Sequence, residues 1–121
     1  MKLTLWLSGP VSSMLEAGSQ WLPFVLQELA RGTLSGARKQ DTIEEGMLGQ
    51  NRIYVACQVD DDLSYTVRFT GADNLVIGTD FGHADLGTDL AAHQIIKERL
   101  ADDPKLANKI VNDNARRLYA F

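Results

Sequence analysis

Asn74-Leu-Val-Ile-Gly-Thr-Asp-Phe-Gly-His-Ala-Asp85 is the stretch whose reading decides the fold. Leu75, Val76 and Ile77 are wholly apolar and too few for a helix, which is the pattern of a strand buried on both faces, as in parallel sheets. The run stops at Gly78-Thr-Asp80 and passes into a loop carrying His83 and Asp85, and a helical pattern follows from Asp89. α/β enzymes place their chemistry at the carboxyl ends of such strands. Asp80 is therefore the first candidate for a functional residue.

Upstream, Ser12–Ala17 is short enough for a strand, with Glu16 near its end. Trp21, Leu22, Val25, Leu26, Leu29 and Ala30 then form one apolar stripe at helical spacing. Ser19 is placed to cap that helix, Pro23 falls in its first turn and Gly32 can stop it. Residues 32–40 read as a surface loop, and Thr42 with Glu45 has capping-box spacing for a short turn through Leu48. Ile53–Cys57 predicts a second buried strand and Leu63–Phe69 a short helix closed by Gly71. Beyond the opening stretch, Thr88 is a plausible cap for a helix carrying Leu90, Ala91, Ile95, Ile96 and Leu100. Asp102, Asp103 and Pro104 start another that continues towards Phe121. Strands alternating with helices predict an α/β fold of parallel strands covered by helices.

The bulk properties narrow the function. At 121 residues the chain is a single domain by length, and 45% hydrophobic with 23% charged residues is ordinary for a globular protein. A formal charge of −4 gives no basic footprint for nucleic acid. No apolar run approaches the roughly 18 residues that span a bilayer, and the opening Met1–Pro10 reads as mature sequence rather than a leader. The lone Cys57 suits a reducing, cytoplasmic setting.

Gly78-Thr-Asp-Phe-Gly-His83, together with Lys109-Ile-Val-Asn-Asp-Asn-Ala-Arg-Arg-Leu-Tyr119, resembles the C-terminal end of amidohydrolase-related metal-dependent hydrolases. These are the (β/α)8-barrel enzymes that include the amino-carboxymuconate-semialdehyde decarboxylase group. Leu15–Leu26 resembles the family's sixth strand and following helix, and Ile53–Cys57 its seventh strand. The resemblance covers residues 11–121 and implies one partial domain, 1–121, of about three β/α units, with 1–10 unassigned. It implies that Asp80 is the eighth-strand aspartate, a catalytic base and ligand of a divalent metal, most naturally zinc. It implies substrate-binding positions for His83 and for Glu16, where many members carry histidine. The implied activity is hydrolysis or decarboxylation, breaking C–N, C–O or C–C bonds of small molecules.

The departures are as informative. A complete barrel needs about 250 residues, and the family's His-x-His is absent, since His83 and His93 are the only histidines. One expectation is therefore a C-terminal portion, from a truncated or separately expressed gene, that pairs with a missing N-terminal barrel half. The alternative is a non-catalytic α/β interaction or scaffold protein whose open strand edges favour self-association. A weaker possibility is a minimal metal site made of Asp80, His83, Asp85 and Glu16.

Other eye-catching residues have plainer readings. Asp60, Asp61 and Asp62 precede a helix and suit capping and its dipole. Cys57 reads as a small core residue, Trp21 as part of the apolar stripe and His93 as a packing or solvent-facing residue. Arg116 and Arg117 suit helix-end electrostatics.

Overall fold

The computed structural model describes residues 12–14, 17–31, 47–84, 86 and 88–120. Glu16 and Asp85, the expected Gly32 stop, the 32–40 loop and the Thr42/Glu45 capping box lie outside the described residues. Three parallel strands lie in the order β1 (Ser12–Met14), β2 (Ile53–Cys57) and β3 (Leu75–Ile77). Ser13 pairs with Tyr54, Val55 with Leu75 and Cys57 with Ile77.

Around them are α1 (Leu22–Arg31), α2 (Met47–Gln50), α3 (Leu63–Thr70), α4 (Ala92–Arg99), α5 (Pro104–Asn108) and α6 (Asn114–Tyr119). A π-helical turn, Lys109–Asp113, joins α5 to α6. The expected parallel α/β pattern is present, and β2 and α3 fall where the sequence placed them.

Strand alternation divides the packing into two layers. Val55, Cys57 and Leu75 meet Leu22 of α1, Leu63 of α3, Ile96 of α4 and Ile110 of the π turn. Val55, Leu75, Ile96 and Ile110 are wholly inaccessible, and each such side chain contributes about 1.5–3 kcal/mol relative to exposure. On the opposite face, Tyr54, Ala56 and Val76 pack against Ala115 and Leu118 of α6. Ser13, in register with Tyr54, is exposed. One face is therefore fully covered by helices, whereas the other is covered at its amino end by α6.

Two expected caps are corrected. Ser19 does not cap α1 through its hydroxyl, which donates instead to the Asp61 carboxylate at 2.7 Å. Thr88 does not cap α4. Its hydroxyl donates to the carbonyl and carboxylate of Asp80, and Asp89 accepts from the Ala91 amide instead. In both cases the hydroxyl donates to a carboxylate outside the helix. Asp62 and Asp103 cap α3 and α5 as their positions suggest, accepting from Tyr65 N and Leu106 N.

Candidate active site at the carboxyl ends of the strands

Past Ile77 the chain makes a sharp reversal. The Gly78 amide donates to the Cys57 carbonyl, which extends the β3 pairing by one residue. Asp80 then adopts a left-handed backbone, φ 51°, a conformation that aspartate tolerates better than most residues. Gly82 follows at φ 99°. Nothing lies within 4 Å of a Cβ built on Gly82, so backbone freedom rather than space calls for glycine there. The reversal closes with the His83 amide donating to the Asp80 carbonyl at 3.2 Å.

This turn folds the imidazole back onto the aspartate. His83 Nδ1 lies 2.9 Å from Asp80 Oδ1; the carboxylate is 4% exposed and the imidazole 50%. The other oxygen, Oδ2, accepts long hydrogen bonds from Gln58 Nε2 at 3.4 Å and Thr88 Oγ1 at 3.3 Å. Asp80 is thus held by three side chains from the loops after β2 and β3. With Nδ1 this close to the carboxylate, Nε2 is the ring nitrogen that does not face Asp80. The structure brings together two of the sequence-chosen residues, Asp80 and His83. Glu16, the third, lies outside the described residues.

Gln58 was missed by sequence reading, although the signal exists. Counting by twos along β2 from Tyr54 and Ala56 reaches Gln58 just past the strand end. The same count along β3 from Val76 and Gly78 reaches Asp80. Both positions continue the alternation of the face that carries Tyr54, Ala56 and Val76.

Beside this pair is a second carboxylate, in a different setting. Asp61 is 2% exposed, and its Oδ2 accepts from Ser19 N and Ser19 Oγ, both at 2.7 Å, and from Gln58 N at 3.0 Å. The expected capping role is therefore corrected: Asp62 caps α3, whereas Asp61 ties the loop after β2 to the turn before α1. Gly18, at φ 62°, permits this approach, because a Cβ there would come within 2.9 Å of both Asp61 Oδ1 and Gln58 Oε1. Arg99 Nη1 adds a bond to the Val59 carbonyl from the end of α4.

The plainer readings fare well here. Cys57 is buried, and loss of hydration pushes its thiol up to about 12; a hydrogen bond with Ser19 opposes this and the charge of Asp61 adds to it. It is a core thiol, protonated at neutral pH. Trp21 is half-buried against the core, with Nε1 donating to the Gly18 carbonyl at 2.9 Å. His93 is exposed. Arg117 departs from its expected helix-end role: its Nε donates to Tyr54 Oη at 3.2 Å and its Nη2 to the Asp73 carbonyl, fastening α6 across the sheet.

Asp80 and His83 supply two donors, fewer than the three protein ligands of a catalytic zinc site. Among the described residues, no group of three or more His, Cys, Asp or Glu is placed to hold a metal ion. The described residues alone thus do not fit a resident metal. No helix among them is long and apolar enough to cross a membrane.

Comparison with known proteins agrees with the sequence resemblance at a coarse level. The chain is similar to the crystal structure of an amidohydrolase from Mycobacterium avium subsp. paratuberculosis K-10, with 25% identity and a TM-score of 0.61 over 88% of this chain. The match spans 27% of that amidohydrolase. No family model and no curated protein matches the chain.

Proposed function

We propose that this chain is the C-terminal portion, about three β/α units, of an amidohydrolase-type (β/α)8 barrel, and that Asp80 with His83 forms its corner of the active site. The observation that carries the reading is the Asp80–His83 pair, set just past β3 at the carboxyl end of the sheet, whose second face is covered by α6 at its amino end. In a barrel that face is the interior, and chemistry gathers at its carboxyl rim. The likeness to an amidohydrolase over most of the chain supports the same placement.

The reaction class is metal-dependent hydrolysis or decarboxylation of a small molecule. A divalent metal, most naturally zinc, would supply Lewis-acid polarisation of the substrate. Its remaining ligands would come from strands outside this sequence, which holds only two histidines. What this chain contributes is a buried carboxylate with an imidazole nitrogen 2.9 Å from it. Asp80 orients His83 through Nδ1, and Nε2 can take up a proton. His83, half exposed, and Glu16 are proposed to meet substrate. A buried, protonated Cys57 suits a reducing cytoplasm.

Co-expression tests the reading. The chain is combined with the first five β/α units of an amidohydrolase in zinc-containing medium, and the purified complex is assayed for ester, amide and carboxylate substrates. The expected result is a stable complex with activity that Asp80→Asn lowers by at least about a hundredfold. Failure of the folded chain to associate with any such half would instead favour a non-catalytic scaffold, and so would activity that survives Asp80→Asn.

A further inference from the structure

A cavity of about 360 Å³ opens at the other end of the sheet, lined by Gly49, Arg52, Tyr54, Asp73, Asn74 and Arg117. Arg52 and Asn74 immediately precede β2 and β3, Tyr54 is the second residue of β2, and Arg117 belongs to α6. The recess is therefore at the amino ends of the strands, remote from Asp80. The volume falls within the range of small-molecule sites.

Its lining is rich in donors. Arg117 is fixed by three acceptors: Tyr54 Oη at 3.2 Å, Asn114 Oδ1 at 3.1 Å and the Asp73 carbonyl. These use Nε and Nη2 and leave Nη1 without a hydrogen bond among the described residues. Tyr54 Oη accepts from Arg117, so its own proton remains available. The Asn74 side-chain amide likewise has no hydrogen-bond partner among the described residues, although the residue is 8% exposed. Arg52 adds a second guanidinium, presented from a turn at φ 53°. The one carboxylate of the lining, Asp73, is already neutralised: its Oδ1 lies 2.6 Å from Lys109 Nζ. Two guanidiniums thus line the recess beside one carboxylate that Lys109 already meets.

The geometry points to a binding site for a small oxyanion, a phosphate group or a carboxylate, held by Arg117, Tyr54, Asn74 and Arg52. A preordered guanidinium with a phenol and an amide beside it is how proteins recognise such groups. Bound there, the anion would bridge α6 to the starts of β2 and β3, so occupancy would strengthen the docking of α6. The inference is independent of the chemistry at Asp80.

The full chain is titrated with sodium phosphate and, separately, with sodium acetate, against sodium chloride at matched ionic strength. Binding is followed by the ¹H–¹⁵N signals of Gly49, Asn74 and Arg117 Nε, and by melting temperature. The expected result is saturable shifts at these positions and a higher melting temperature with phosphate, acetate or both, and none with chloride. Saturation by phosphate alone assigns a phosphorylated ligand, and saturation by acetate assigns a carboxylate. Tyr54→Phe and Arg52→Gln should each weaken binding about tenfold while the folded spectrum persists; Arg52 is exposed, so its variant keeps the test open if Tyr54→Phe fails to fold. Shifts that follow ionic strength alike for all three salts overturn the assignment. So does wild-type affinity in both variants.

Discussion

Asp61 and Asp80 are two nearly inaccessible carboxylates at the same end of one small sheet, and they are held in opposite ways. Asp61 gathers three short contacts onto a single oxygen, two of them from backbone amides. Asp80 spreads its contacts over both oxygens, all of them from side chains, one being a half-exposed imidazole. Backbone donors cannot leave without unfolding the turns that carry them, whereas side chains can rotate away and return. The first arrangement locks two loops together, and the second leaves a carboxylate free to change partners. Low exposure alone does not separate a structural acid from a chemical one. The nature of the donors does.

Replacing the two acids separately is the strongest way to break this contrast. Asp61→Ala would strand the buried Ser19 amide and hydroxyl and the Gln58 amide without an acceptor, a loss of about 3 kcal/mol or more. That is a large share of the roughly 5–15 kcal/mol that holds a domain together. Asp80→Asn keeps the shape and can still accept from Gln58 or Thr88, so its cost should stay below about 1 kcal/mol. Urea unfolding of the two variants decides the matter, and equal losses would mean that both acids are structural.

Asn114 offers the same comparison at the amino end. Its Nδ2 donates to the Ala72 and Leu75 carbonyls, both at 2.6 Å, and the residue is 1% exposed. Asn114→Ala should cost about 2 kcal/mol, between the two acids, since it removes two short bonds to buried carbonyls but strands no charge. A loss as small as that of Asp80→Asn would show that backbone partners do not by themselves make a contact structural.

Cys57 adds a dependence on pH. Its folded thiol is raised to about 12 from an ordinary 9.0. Above pH 9 the unfolded chain releases this proton while the folded chain keeps it, so the folded state binds more protons and stability falls as pH rises from 9 towards 12. Below pH 9 the group gives no slope. Melting temperatures at pH 8 and pH 10.5 should diverge more in the wild type than in Cys57→Ala. An equal drop in both would place the alkaline sensitivity elsewhere.

These contacts also mark where the sequence could and could not be read. The apolar runs of β2 and β3 and the stripe of α1 were legible because burial imposes periods that survive in a single chain. Leu90 and Ala91, expected on the apolar stripe of α4, instead precede it and are exposed, and Ala92 is buried. Asp80 and His83 were legible because a strand end followed by a glycine-punctuated turn is a local signal. Ser19 and Thr88 were misassigned because a hydroxyl beside a helix start has a good local use. Nothing nearby in sequence reveals the carboxylate 42 residues away to which the Ser19 hydroxyl donates. Arg117 was misjudged for the same reason, as Tyr54 lies 63 residues from it. Gln58 needed only the alternation of β2 carried one step beyond the strand.

A third carboxylate sharpens the contrast from the exposed side. Asp73 pairs with Lys109 Nζ at 2.6 Å, with side-chain exposures of 64% and 44%. The Lys109 hydrogen bond holds the Asp73 carboxyl below its ordinary value of 3.8, with smaller help from the charges of Lys109 and Arg117. A lowered folded pKa gives stability that is present above the unfolded pKa and is lost as pH falls through the folded one, so the window lies below about pH 4. Water and salt screen a pair this open, and Lys109→Met should cost no more than about 0.5 kcal/mol at pH 7. The difference between variant and wild type should shrink in 1 M salt, where screening acts over about 3 Å, and vanish once Asp73 is protonated. A salt-insensitive loss comparable to that of Asp61→Ala would mean that exposure does not set the strength of these carboxylates, and the distinction between the buried pair would then need another cause.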